Sequence, residues 1–215
     1  MPRRRTREAL IESVDADIAW RTLELSALRT ALARAKGPAA DTAARTAVAL
    51  AYAHWEGYVV TTSRELAQYV SDLRLARGDL ADSYLALSLA GRLTQADAST
   101  RRIQIHVDVI TEMRRSTETA DFPAAEKMIH AEGNLKSAKF QDIVVRLGLD
   151  PSPFELHYNW LDGELLRRRN NIAHGDDGHA DSEFAVEALE TVRALMDQFR
   201  TAIQNAAALE VFRLA

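Results

Sequence analysis

Ile11, Ile18, Leu25 and Leu32 recur at intervals of seven residues, and Val14, Leu28 and Ala35 fall on the companion positions of the repeat. Seven residues make almost two helical turns, so these side chains line one side of an α-helix. The stripe predicts a helix over residues 6 to 35. A helix that long must bury its apolar side, either against other helices of its own chain or against a partner chain. Arg21 interrupts the stripe. Gly37-Pro38 closes it, because glycine accepts the backbone conformation past a helix end and proline cannot continue the helix.

The rest of the chain keeps a helical period. A second helix is expected from Asp41, read as its N-cap, to Leu75, with a break at Gly78-Asp79. A third covers 80–93, with Leu80, Tyr84, Leu87 and Leu93 inward, and TQADAST (94–100) reads as a polar loop. Residues 101–117 read two ways. Ile103, Ile105, Val107 and Val109 alternate like a strand, but a lone strand has no pairing partner, so helix or irregular structure is the expectation. A short helix restarts after Phe122-Pro123. Ser137 is read as N-cap of a helix over 138–147, with Phe140, Ile143, Val144 and Leu147 inward. The next helix, Glu155 to Ala173, buries Leu156, Trp160, Leu161, Leu165 and Leu166; after a turn, a last helix capped by Ser182 reaches about residue 208. With only 9 glycines and 5 prolines in 215 residues, the fold class is all-α. Residues 1–215 are read as one domain, with the long N-terminal helix (1–36) serving the bundle or an assembly.

Composition removes several function classes. There is no cysteine, so disulfides, thiolate nucleophiles and cysteine zinc sites are excluded. No run of 18 apolar residues exists for a membrane-spanning helix. MPRRRTREAL has basic residues without a following apolar region, so it is not a secretory signal, and a cytoplasmic location is expected. The net charge of −4 argues against a broad basic face for duplex nucleic acid and confines any nucleic-acid contact to a local site. Two basic clusters stand out, Arg3-Arg4-Arg5 with Arg7, and Arg167-Arg168-Arg169. The first also reads as a solvated terminus.

The second cluster opens RRRNNIAHG, residues 167 to 175. One reading is a plain helix ending: cations favour the negative end of a helix, and Gly175 suits the position just past it. The other reading is chemical. Asn170 and His174 are four residues apart and share a helical face. Arg169 and His174 are five apart, about 140° around a regular helix, so two such helices from a dimer would make the better cleft. Arginine offers a permanently charged fork to phosphate oxygens, histidine exchanges a proton near neutral pH, and asparagine orients either. That set suits RNA cleavage without metal. The 2′-hydroxyl loses a proton as it attacks phosphorus, the 5′-oxygen gains one, and a 2′,3′-cyclic phosphate remains.

Arg169-Asn170-Asn171-Ile172-Ala173-His174-Gly175 resembles the signature of the HEPN superfamily, and the longer string resembles its RiboL-PSP-HEPN branch, found in bacterial toxin and defence systems. Two further stretches agree: Tyr52-Ala53-His54-Trp55-Glu56-Gly57-Tyr58, and GNLKSAKFQDIVVRLGLD over 133–150. The resemblance implies a HEPN-type helical bundle with a long N-terminal helix and a homodimer with the signature motifs at its interface. It implies a metal-independent endoribonuclease with Arg169 and His174 as the catalytic pair and Asn170 as polar orienter. No cofactor is implied. The substrate would be tRNA or another structured or single-stranded RNA, and a toxin or abortive-infection effector would have an antitoxin protein as partner. Arg167 and Arg168 lie outside the pattern and read either as RNA-phosphate contacts or as a solvated face.

Tyr52, Trp55 and Tyr58 are spaced to point inward together, and His54 reads as a hydrogen-bonded core histidine. Glu56 beside them needs a partner, and an arginine of the signature helix is one candidate. GDDGHAD (175–181) reads as a solvated turn rather than a metal site, and His106, His130 and His157 show no convergent partners. The rival reading is a non-catalytic helical module that binds a nucleotide or a partner.

Overall fold

The computed structural model describes residues 6–98, 103–131, 133–176 and 181–214. Its helices are α1 (Arg7–Arg34), α2 (Pro38–Asp72), α3 (Asp82–Ser88), α4 (Ala90–Ala98), α5 (Ile103–Arg114), α6 (Ala125–Met128), α7 (Ser137–Arg146), α8 (Tyr158–Trp160), α9 (Arg167–Ala173) and α10 (Ser182–Ala208). A π-helical turn, Leu161–Leu166, joins α8 to α9, and short 3-10 turns occur at Arg77–Asp79 and Ser152–His157. No β-strand forms among the described residues; Ala76 with Thr119 and Leu80 with Arg213 make isolated bridges.

The core is built where α1, α2 and α10 pack on one another. The α1 stripe is spent inside the chain. Leu10, Val14, Ile18, Leu25 and Leu32 are buried, so the inward position at the N-terminal end is Leu10 and not Ile11, and Arg21 is buried with them. The α2 helix begins three residues earlier than expected, since Pro38 occupies its first turn, where a missing N–H costs nothing. From α2, Tyr52, Trp55 and Tyr58 point inward as their spacing predicts, and Trp55 meets Phe140 and Phe199 edge-on or tilted.

Several boundaries differ from expectation. The third helix splits into α3 and α4, and residues 94–98 continue α4 instead of forming a loop. The polar segment holds no glycine or proline, and Ala96 finds a buried position. Leu93, expected inward, is exposed. The alternating segment is helical over Ile103–Arg114, the form that satisfies backbone groups without a partner strand; residues 99–102 lie outside the described residues. Ser137 is the first residue of α7 rather than its cap, and it is held from elsewhere, with its N–H and Oγ donating to Asp162 at 2.8 and 2.6 Å. Asp181, one residue before Ser182, caps α10 by accepting from the Phe184 N–H.

The largest departure lies before the signature. Leu156 is 92% exposed, although its spacing from Trp160 is right for a continuous helix. Residues 152–157 form a 3-10 turn and 161–166 a π turn, and both change the phase of the side chains relative to a regular α-helix. Leu161, Leu165 and Leu166 still reach the core. They anchor the run whose next residues are Arg167–Ala173.

Candidate functional site

Positions 52, 56, 60 and 64 of α2 are spaced by four, so Tyr52, Glu56, Val60 and Arg64 share one face. That face is one wall of an open cleft of about 440 Å³, completed by Ala53, Gly57, Thr61, His130, Ala131 and Arg169. The other wall is the irregular connection between α6 and α7. Arg169 comes in from α9.

The Arg169 guanidinium is held on several sides. Its Nη1 donates to Asn170 Oδ1 at 2.7 Å and reaches Asn134 Oδ1 at 3.4 Å, and its Nη2 donates to the Gly133 carbonyl at 2.7 Å. Its Cζ sits 4.3 Å from the centroid of the Tyr52 ring, a cation–π contact. Glu56 Oε2 is 3.9 Å from Nη2, beyond hydrogen-bond reach, and that buried oxygen has no hydrogen-bond partner. Tyr52 Oη in turn accepts from the Leu135 N–H. Burial, and then the Glu56 carboxylate beside it, push the Tyr52 hydroxyl well above its ordinary range, so it stays protonated.

His174 follows the last residue of α9. The helix ends in a Schellman motif: Gly175, at φ +76°, donates to the Ile172 carbonyl at 3.2 Å, and the Asp176 N–H donates to the Asn171 carbonyl at 3.0 Å. Arg45 ties this end to α2 through the Asp176 carbonyl. The His174 side chain is exposed. Among the described residues no hydrogen bond or ion pair joins it to Arg169, and it is not part of the cleft lining. One chain therefore brings together Arg169, Asn170 and Glu56, and leaves His174 at the helix end, open to solvent.

The two preceding arginines differ. Arg168 pairs with Glu164 at 3.1 Å and lies 4.1 Å over the Phe184 ring, so it braces α9 against α10. Arg167 is exposed and donates to the Gly163 carbonyl. Arg64 and His130 line the cleft, and Gly133 and Asn134 hold the Arg169 guanidinium beside it; the sequence reading assigned none of the four. The spacing by four along α2 was the available signal for Arg64. Residues 177–180 of GDDGHAD lie outside the described residues. Among the described residues no helix is long and apolar enough to cross a membrane.

The sequence model of the RiboL-PSP-HEPN family matches residues 16–205. The match takes in most of α1, all of α2, the cleft and most of α10, and the chain belongs to the RiboL-PSP-HEPN family. Searches of curated proteins and of solved structures each returned no match.

Proposed function

We propose that this protein is a metal-independent endoribonuclease that works as a homodimer in the cytoplasm, with residues 1–215 acting as one domain. The observation that carries the reading is the Arg169 fork, fixed against Tyr52 and the Gly133 carbonyl beside an open cleft while its carboxylate neighbour stands off at 3.9 Å. A fork held in this way is preorganised for phosphate oxygens, and a phosphate can draw it closer than Glu56 does. Arg169 stabilises the charge that gathers on the phosphorane oxygens. Asn170 orients its guanidinium. His174, exposed at the helix end, accepts the 2′-hydroxyl proton. Glu56 supports Arg169 from α2. Arg167, exposed at the same helix, adds a phosphate contact, and Arg168 contributes what its pairing with Glu164 leaves free. The substrate is tRNA or another structured or single-stranded RNA. The biological role is that of a toxin or abortive-infection effector with a neutralising antitoxin.

The test is incubation of pure dimeric protein with total tRNA and with a short single-stranded RNA in EDTA, beside His174→Ala. Cleavage that persists in EDTA, vanishes in the variant and leaves 2′,3′-cyclic phosphate ends is the expected result. RNA or nucleotide binding without cleavage would move the assignment to a non-catalytic binding module.

A further inference from the structure

We propose that His130 is the second proton-transfer group of this site, the acid that protonates the leaving 5′-oxygen. The inference rests on the nuclease reading above. In-line attack at phosphorus needs a base at the incoming 2′-oxygen and an acid at the departing 5′-oxygen, on opposite sides of the phosphate. One histidine cannot stand on both sides at once. His174 comes from the end of α9, while His130 lines the cleft from the connection between α6 and α7.

That connection is irregular, yet the cleft's own side chains pin it at three points. Arg64 Nε donates to the Ile129 carbonyl at 2.9 Å, Arg169 Nη2 to the Gly133 carbonyl at 2.7 Å, and the Leu135 N–H donates to Tyr52 Oη at 2.5 Å. The backbone is extended at Ile129, with φ −128° and ψ 116°. Ile129 and Ala131 are buried while His130 between them is only half-buried. His130 and Ala131 both line the cleft, together with Arg64 and Arg169. Three polar side chains of the cleft thus hold in place the loop that brings His130 to the cleft lining. This is the support that a preorganised catalytic group requires, and a loop serving only as a connection does not.

The step balances without a co-reactant. The 2′-oxygen gives its proton to His174 as it bonds to phosphorus. The P–O5′ bond breaks, its electron pair stays on O5′, and that oxygen takes the proton of the His130 imidazolium. The products are a 2′,3′-cyclic phosphate and a free 5′-hydroxyl, and solvent restores both histidines.

The experiment compares wild type, His130→Ala and His130→Gln on a short single-stranded RNA and on the same RNA carrying a bridging sulfur at the cleaved 5′ position. A thiolate leaves without being protonated, because thiols are acids of pKa about 8.5 whereas water, and alcohols like it, are near 15.7. Both variants are expected to cut the oxygen-linked RNA about 10²–10⁴-fold more slowly and the sulfur-linked RNA within a few-fold of wild type. Equal loss on both substrates, full activity of the Gln variant, or no loss in either variant would overturn the assignment. Thermal melting of each variant separates misfolding from chemistry, and the Gln variant keeps the bulk and polarity should the Ala variant unfold. If wild type cleaves and the His130 variants match it, the nuclease reading stands and only this inference fails. If wild type cleaves neither RNA, both fail.

Discussion

Two arginines from different helices reach the same two turns of α2, and they are held in opposite ways. Arg21 arrives from α1 with its side chain 9% exposed; its Nε donates to Asp17 Oδ2 at 2.9 Å, its Nη1 reaches the His54 carbonyl at 3.4 Å, and the Trp20 ring lies 4.5 Å from its Cζ. Arg169 arrives from α9 with its side chain 24% exposed, spends its shortest bonds on a neighbouring amide and a backbone carbonyl, and keeps its carboxylate at 3.9 Å. Arg21 is enclosed with a full ionic partner, so its charge is already neutralised. Arg169 is oriented by neutral acceptors, and its ion pair is the looser one, 3.9 Å against 2.9 Å. The first arrangement stabilises a fold; the second leaves positive charge available to a ligand.

The comparison breaks most directly at Arg169. Arg169→Ala is expected to lower RNA cleavage about 10²–10³-fold, the cost of one preorganised donor to a developing anion, while the folded state persists by circular dichroism. Arg169→Lys keeps the charge but loses the fork and the stacking on Tyr52, so most of that loss should remain. Normal cleavage by the Lys variant would remove the argument from the fork. Arg21→Ala should behave in the reverse manner. It leaves Asp17 with only the Trp20 Nε1–H as a partner and is expected to cost about 1–3 kcal/mol of stability, read as a shift in the urea midpoint. The protein that remains folded should cleave RNA at the wild-type rate. A large loss of activity with unchanged stability would erase the distinction between the two arginines.

The two sites were legible to different degrees, for physical reasons. The heptad stripe and the inward aromatics of 52–58 are periodic, and periodicity is what a sequence displays best, so the helices and the core face of α2 could be read directly. Arg21 showed itself only as a flaw in the stripe. The His54 carbonyl that it reaches lies on another helix, and no spacing rule joins the two. The signature 169–175 was visible because its residues are contiguous. The groups around that signature are not contiguous with it: the Gly133 carbonyl, Asn134 and His130 come from an irregular connection whose course is set by Arg64, Arg169 and Tyr52. The exposure of Leu156 follows from 3-10 and π turns, which leave no mark in apolar spacing.

Gly57 offers a finer test of the Arg21 enclosure. A Cβ at this position would lie 2.9 Å from Arg21 Nη1, and the guanidinium is restrained by Asp17, Trp20 and the His54 carbonyl. Alanine in place of a mid-helix glycine normally gains about 1 kcal/mol. Here the contact should outweigh the gain, and Gly57→Ala is expected to destabilise by about 1 kcal/mol. In the Arg21→Ala background the contact is gone, so the same substitution should stabilise by up to about 1 kcal/mol. A double-mutant cycle of urea midpoints reads the coupling. Equal effects in both backgrounds would show that the fork is free to move aside.

The smallest effect separates the two sites by pH. His54 is buried beside Arg21, with Nε2 3.0 Å from Glu24 Oε2. Burial, the largest influence, pushes its pKa below the ordinary 6.5; Glu24 pulls the other way, and Arg21 adds to the depression. The unfolded chain therefore binds a proton at this histidine at a higher pH than the folded chain does. Stability is unaffected well above pH 6.5. As pH falls through that value toward the folded pKa, the unfolded state gains protons that the folded state refuses, and stability declines by less than about 1.4 kcal/mol per pH unit. His54→Gln should flatten this part of the profile when urea midpoints are compared at about pH 7.5 and about pH 5.5. The pH profile of RNA cleavage should keep its shape in the same variant. If His54→Gln instead moves the cleavage profile and leaves the stability profile alone, the buried side of α2 takes part in the chemistry, and the division between an enclosed arginine site and an open one no longer holds.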